Sequence, residues 1–255
     1  MKGLKNKLAL VTGGAGGIGL AICRRLAAEG CTVGILDLSQ ENAHRACEAV
    51  AAEGGKAVPV IADISNYEAL ARAIGDFTAS GKTIDILVNN AGWDKFGNFV
   101  KQPPELYRKV IEINLLGMMN VTHIVAPGML AQGAGRIVNI ASDAGRVGSA
   151  GESSYAAAKG GVIAFTKSMA RELAGKGIAV NVVCPGPTET SMMAEVVSAA
   201  GSPDKLREAL LRLIPMRRFG QPEDVAGVVA FYASDDVAYV TGQVVSVSGG
   251  MNMVG

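Results

Sequence analysis

Between Gly13 and Gly19 the chain carries five glycines in seven positions: Gly13, Gly14, Gly16, Gly17 and Gly19. They separate a short apolar run, Leu8 to Thr12, from a stretch with helical apolar spacing, Leu20 to Glu29, that Gly30 closes. An ordinary tight turn needs far fewer glycines. A strand, a glycine turn and a helix start instead make a phosphate cradle. The missing side chains let backbone N–H groups approach an anion, and the helix dipole favours negative charge there. This order opens a doubly wound α/β sheet that binds a dinucleotide.

The rest of the chain repeats strand and helix. Strand-like runs follow at Thr32–Asp37, Ala57–Asp63, Ile84–Gly92, Arg136–Ser142, Ile178–Cys184 and Gln243–Gly250. Helical patterns lie between them at 41–52, 67–78, 104–126, 154–174 and from Pro222 onward. Seven runs in that alternation predict one α/β domain over 1–255, a Rossmann-type seven-stranded parallel sheet flanked by helices. No linker, repeat or low-complexity tract divides it. The stretch 187–219 has mixed character and is expected to form a lid over the substrate.

Composition narrows the functional classes. The 255 residues carry a formal charge of +1, which points away from nucleic acid and anionic membranes as partners. His44 and His123 are the only histidines, and neither has zinc-ligand spacing to Cys23, Cys31, Cys47 or Cys184. No metal and no serine–histidine triad is expected, and the cysteines read as reduced thiols. The amino-terminal residues lack a secretory pattern, and no apolar run was long enough to suggest a membrane span, so a cytoplasmic protein is expected.

Several polar residues stand at strand ends, where such sheets keep their ligands. Asp37 closes the second strand at the distance where a dinucleotide site places its ribose-binding carboxylate. It would repel a 2′-phosphate, and Leu38-Ser39 offer no arginine, which favours NAD over NADP. Asp63, with Ile64, either flanks the adenine or caps the next helix. Asn89 and Asn90 close the fourth strand, and Trp93 follows as a candidate pocket wall. Asn114 sits among apolar neighbours and is either a helix-distorting core amide or a relay group. Ser142 ends the fifth strand. Tyr155 and Lys159, four apart on a helix, share one face. A phenol titrates near pKa ~10, so an ammonium beside it is expected to favour the phenolate and make it a general base.

Thr12-Gly13-x-x-x-Gly17-Ile18-Gly19, Asn89-Asn90-Ala91-Gly92, Asn114, Ser142, Tyr155-x-x-x-Lys159 and Pro185-Gly186 together resemble the short-chain dehydrogenase/reductase family over the whole chain. The resemblance implies Asn114, Ser142, Tyr155 and Lys159 as catalytic residues. Tyr155 would be base in alcohol oxidation and acid in the reverse, Lys159 would hold the nicotinamide ribose, and Asn114 would position a water. It implies an NAD site at Gly13, Gly17, Ile18, Gly19, Asp37, Asp63, Ile64, Asn90, Tyr155, Lys159, Pro185, Gly186, Thr188 and Thr190. Within the family, Asn-Asn-Ala-Gly-Trp-Asp and Ser-Asp-Ala-Gly-Arg-Val-Gly-Ser are similar to dehydrogenases of cyclic β-hydroxyacyl-CoA thioesters such as 2-hydroxycyclohexanecarboxyl-CoA, from aromatic and alicyclic acid degradation. Other β-hydroxyacyl-CoA substrates, a 3-oxoacyl-carrier-protein reductase and a non-catalytic nucleotide-binding subunit are the alternatives. A cyclic substrate would meet Trp93, Ser142, Val147, Tyr155, Pro187, Met192 and Met193, with Arg146, Arg217 and Arg218 toward CoA phosphates. A homotetramer is also implied.

Overall fold

The computed structural model describes residues 1–79, 81–198 and 202–254. Seven parallel strands form one sheet in the order β3-β2-β1-β4-β5-β6-β7. They are β1 Leu8–Thr12, β2 Thr32–Asp37, β3 Lys56–Ile61, β4 Ile86–Asn89, β5 Gly135–Ile140, β6 Ile178–Pro185 and β7 Val244–Val247. The helices are α1 Gly17–Ala28, α2 Gln40–Ala52, α3 Tyr67–Thr78, α4 Pro104–Ile111, α5 Met118–Gln132, α6 Ala144–Val147, α7 Ser153–Leu173, α8 Ser191–Ser198, α9 Pro203–Leu213 and α10 Pro222–Ala233.

The pleat sorts side chains between two cores. On β1, Ala9 and Val11 face a core shared with α1, α2 and α10, whereas Leu8 and Leu10 face one shared with α3, α5 and α7. Because helices cover both faces, the central strands are buried along their length, which is why β1 and β6 read as continuous apolar runs. Capping fixes several helix starts. Ser39 Oγ accepts from Asn42 N at 3.2 Å and Asn66 Oδ1 from Ala69 N at 3.1 Å. Gly133 ends α5 in the left-handed region at φ 68°.

The strand order reverses between β1 and β4, so a crevice opens at their carboxyl ends. Thr12 closes the gap beneath it. Its hydroxyl, 2% exposed, accepts from both Asn90 N and Ala91 N at 3.0 Å.

Three expectations are corrected. The helix predicted over 104–126 is two α-helices joined by a π-helical turn, Glu112–Gly117, that contains Asn114. Together 104–132 is long and apolar enough to cross a membrane by length and composition, contrary to the sequence reading. Here, however, it buries Val121, Val125 and Met129 against the sheet. Ser142 lies two residues beyond β5, in the turn before α6, because Ala141 N–H still pairs with Val183 O while the chain then bends. The segment expected as a lid leaves the body through a paired neck: Gly220 N donates to Pro187 O at 3.0 Å and Glu189 N to Gly220 O at 2.9 Å. It carries α8 and α9; its residues 199–201 lie outside the described residues.

Candidate active site

The glycine turn has the shape the sequence requires. Gly13 and Gly17 have φ of 59° and 51°, which side chains resist. A Cβ on Gly19 would stand 2.0 Å from Gly13 O. Around Gly16 nothing lies within 4 Å of a built Cβ, so the turn is open outward. Ile18 packs against the α1-side core. Asn90 Nδ2 donates to Thr12 O and Gly13 O, both at 3.1 Å, and holds the turn to β4. Asp37 Oδ2 accepts from Ala15 N at 3.3 Å and Oδ1 from Ser39 N at 3.1 Å. The carboxylate therefore stands at the rim of the cradle. These residues fit a dinucleotide: backbone donors and open space for the pyrophosphate, and an acceptor for ribose hydroxyls.

Other predicted cofactor residues divide. Asp63 is exposed, and its Oδ1 accepts from Ser65 N at 2.8 Å and Ser65 Oγ at 2.7 Å. It organises the turn before α3, while Asn66 does the capping. Ile64 is 7% exposed, and its side chain packs where Gly117 allows close approach, so it is a core residue. Across the crevice, Gly186 packs on Ser248, and the Thr188 hydroxyl donates to Gly186 O at 2.9 Å. Pro185 is the last residue of β6. The Thr190 methyl lies 3.5 Å from a Cβ built on Gly17, which brings the start of the 187–219 excursion against the glycine turn.

Tyr155 and Lys159 lie on α7 as the spacing predicts, with Lys159 Nζ 5.5 Å from the Tyr155 ring centre. Lys159 is 3% exposed and donates to Ile140 O at 2.9 Å. Among the described residues that is its one hydrogen bond, which leaves two ammonium donors for a ligand. Burial lowers its pKa to about 8. The sequence expectation that Lys159 lowers the tyrosine's pKa is not met by the protein alone. Burial pushes the Tyr155 phenol well above its ordinary value, the Glu152 and Asp94 carboxylates add to the rise, and a Ser142 hydrogen bond opposes it. These groups disfavour the phenolate in the protein alone. Ser142 Oγ also accepts from Ala144 N at 3.1 Å, which fixes it in the turn.

Asn114, 1% exposed, is a clamp. Its Nδ2 donates to Trp93 O at 2.6 Å and Val110 O at 2.9 Å, and its Oδ1 accepts from Trp93 N at 3.3 Å. A Cβ on Gly92 would lie 2.8 Å from Asn114 Oδ1 and 3.5 Å from Lys159 Nζ. Asn114 thus touches the loop after β4 and approaches Lys159 through the one residue with no side chain. Both amide donors are spent on backbone, so a water relay has only the oxygen's second lone pair to use.

The predicted substrate walls are dispersed. The Trp93 ring carries Lys109 Nζ at 4.3 Å from its centre. Val147 and Met192 are exposed, Pro187 belongs to the neck, and Met193 lines a cavity of about 300 Å³ between α8 and α9. All three arginines assigned to phosphates have other partners. Arg146 donates to Ser246 Oγ at 2.8 Å and to Val254 O, binding α6 to β7 and the tail beyond it. Arg218 pairs with Asp224. Arg217, exposed at φ 56°, donates to Arg212 O at 2.9 Å.

A profile of the family described as Enoyl-(Acyl carrier protein) reductase matches residues 13–252. The 3-oxoacyl-[acyl-carrier-protein] reductase of Thermotoga maritima is 41% identical over 248 residues, 97% of this chain and 98% of that protein. The chain belongs to the short-chain dehydrogenase/reductase family. The acetoacetyl-CoA reductase of Allochromatium vinosum is 42% identical over 250 residues, 97% of this chain and 99% of that protein. A Brucella melitensis 3-oxoacyl-[acyl-carrier protein] reductase crystallised with bound NAD superposes with a TM-score of 0.89 at 36% identity, covering 98% of this chain and 92% of that one. Like those short-chain dehydrogenase/reductases, this chain is an NAD(P)-dependent oxidoreductase of CH–OH and keto groups. These relatives do not support the narrower likeness to cyclic hydroxyacyl-CoA dehydrogenases.

The sequence reading did not single out Thr12, Asp94 or Glu152. Thr12 was visible as the residue entering the glycine turn, and Glu152 as an acid one helical turn before Tyr155. Nothing local linked Asp94 to either.

Proposed function

We propose that the protein reduces the ketone of a 3-oxoacyl thioester, carried on CoA or acyl carrier protein, to the 3-hydroxyacyl thioester. A Tyr155 phenol beside Ser142 can give its proton to a ketone oxygen, the role that reduction requires. Full-length similarity to 3-oxoacyl and acetoacetyl thioester reductases supports the substrate class. The expectation of a cyclic β-hydroxyacyl-CoA gives way to this reading.

In the proposed mechanism the substrate ketone oxygen accepts hydrogen bonds from Tyr155 Oη and Ser142 Oγ. Those donors stabilise charge as it develops on that oxygen, and Tyr155 delivers its proton there. Lys159 uses its two spare donors on the cofactor ribose, and Asn114 keeps the loop after β4 from shifting under Lys159. The glycine turn 13–19 holds the pyrophosphate, and Asp37 takes the adenosine ribose hydroxyls, which favours NADH over NADPH. A bound reduced nicotinamide supplies the hydride for the ketone carbon. The excursion 187–219 serves as the lid over the acyl chain. A homo-oligomer, tetrameric by family resemblance, belongs to the same proposal.

The test is stopped-flow or steady-state oxidation of NADH and of NADPH with acetoacetyl-CoA, beside 2-hydroxycyclohexanecarboxyl-CoA with NAD. Turnover of acetoacetyl-CoA at least about tenfold better with NADH supports the reading. Preference for the cyclic thioester would replace the substrate, and preference for NADPH would remove the role given to Asp37.

A further inference from the structure

Two carboxylates reach one corner of the site from different elements. Glu152 is the residue preceding α7, three positions ahead of Tyr155, and its carboxylate is near enough to act on the Tyr155 phenol. Asp94 follows Trp93, whose backbone Asn114 grips at both N–H and C=O. The two loops are fastened together. Gly97 N donates to Gly151 O at 2.9 Å. The Phe96 ring lies so close to Gly151 that a Cβ there, at φ +84°, would meet it at 2.5 Å. Gln102 Nε2 donates to Lys95 O and Gly97 O, both at 3.2 Å, and holds the outer side of the loop.

The corner is acidic and uncompensated. Asp94 Oδ2 is buried with no hydrogen-bond partner. The nine ion pairs among the described residues include neither Asp94 nor Glu152. The cations of the region are turned to other tasks. Lys159 donates to Ile140 O, Lys109 sits on the Trp93 ring, and the Lys95 backbone, rather than its exposed side chain, meets the Asp94 carboxylate. The field of both carboxylates acts at Tyr155, where Cys184 adds a minor like-signed contribution.

We propose that Asp94 and Glu152 are specificity-determining residues that turn away free 3-oxo carboxylates and admit the same acyl group only when its acid end is masked as a neutral thioester. The proposal rests on the reductase reading above. The ketone oxygen must reach Tyr155 and Ser142. In a 3-oxo acid the carboxylate is two bonds from the ketone carbon, and in the proposed pose that substituent, rather than the alkyl one, is seated toward the polar corner of Asp94 and Glu152. A thioester at that position is neutral. The phosphates of CoA lie at the far end of the pantetheine arm, beyond the screening length of about 8 Å at physiological salt. An unpaired like charge is an effective way to reject one of two similar ligands.

The test compares acetoacetate, methyl acetoacetate and acetoacetyl-CoA on wild type, Asp94→Asn, Glu152→Gln and the double variant. It reads the ratio of kcat/KM for the neutral ester to that for the acid within each protein, so a general loss of turnover cancels. The wild type is expected to favour the ester by at least about tenfold, the scale of two like charges at partly buried spacing. The double variant is expected to lose most of that preference through a lower KM for the acid. A second readout is pH. Burial, the first cause, and then Glu152 raise the Asp94 pKa to about 6 against the opposing Lys95 N–H, so wild-type preference grows as pH rises through 6. Acetoacetate stays ionised across that range. The step should vanish in Asp94→Asn. Equal use of acid and ester by wild type, or an unchanged ratio and pH step in the variants, overturns the proposal. Failure to turn over acetoacetyl-CoA with the ester-to-acid ratios as expected would instead overturn the thioester reading and leave the charge filter standing.

Discussion

Replacing Thr12 by Val tests how the crevice is held together. The two side chains have nearly the same shape, so packing at this 2% exposed site is preserved. What disappears is one oxygen that accepts from two backbone donors, Asn90 N and Ala91 N, each at 3.0 Å. A donor left without a partner costs about 1–3 kcal/mol, so two cost roughly 2–6 kcal/mol. Both residues are half-buried, which lets water recover part of that, and the lost hydroxyl no longer needs desolvation. A net loss of about 3 kcal/mol is expected. Thr12→Ser keeps the oxygen and should lose about 1 kcal/mol for the methyl group. Urea denaturation followed by circular dichroism, at one protein concentration, measures both. Because Asn90 also holds Gly13 O, Thr12→Val should weaken NADH binding at least about fivefold by fluorescence titration, and Thr12→Ser by less. A Thr12→Val protein within about 0.5 kcal/mol of wild type, with unchanged NADH affinity, would refute the view that this hydroxyl joins β1 to β4.

Three other outcomes follow from the same geometry. Gly19→Ala places a methyl 2.0 Å from Gly13 O, and NADH affinity should fall by about a hundredfold or more in titration while the circular dichroism spectrum stays α/β. Tyr155→Phe removes the proton donor and should lower kcat by about 10²–10⁴-fold, with NADH binding retained. Asp94→Asn should stabilise the protein at pH 8 and not at pH 4. The folded pKa of about 6 exceeds the ordinary 3.8, so the fold binds this proton more tightly, and that contribution is lost as pH rises through 6. The rise corresponds to about 3 kcal/mol at full weight, reduced to about 1 kcal/mol because Asp94 is partly exposed; denaturation midpoints at the two pH values measure it.

Much of the architecture was legible because parallel strands covered on both faces leave continuous apolar runs. Leu8–Thr12 and Ile178–Pro185 announce themselves without alternation. Short-range geometry was legible too: Tyr155 and Lys159 meet because four residues make one helical turn. Three glycines of the turn have a structural reason, Gly13 and Gly17 by positive φ and Gly19 by the 2.0 Å approach of a Cβ to Gly13 O. Long-range electrostatics was not legible. Spacing suggested that Lys159 would lower the Tyr155 pKa, whereas burial dominates, and that burial and the carboxylate of Asp94 sixty-one positions away depend on which loops fold together. Arg146 illustrates the same limit. Its charge suggested a phosphate, while its partners, Ser246 and Val254, lie about a hundred residues downstream. A helix distortion at Asn114 was one of two readings of a buried amide among apolar neighbours, but its π form was not legible, because the composition suits an α-helix and the amide's three backbone partners appear only in the fold.

That widened turn carries a consequence for how the chain tolerates change. A π-turn accommodates one residue more than the α-turn it replaces, so α5 is rotated by about 100° relative to an uninterrupted continuation of α4. The buried stripe of α5, Val121, Val125 and Met129, is in phase with the sheet only because of that surplus residue. Deleting any single residue between Glu112 and Gly117 would let the helix run straight, carry this stripe a quarter-turn toward solvent and swing Asn114 off Trp93. Substitutions in the segment are local events, but a one-residue change in its length would be transmitted along the whole of α5.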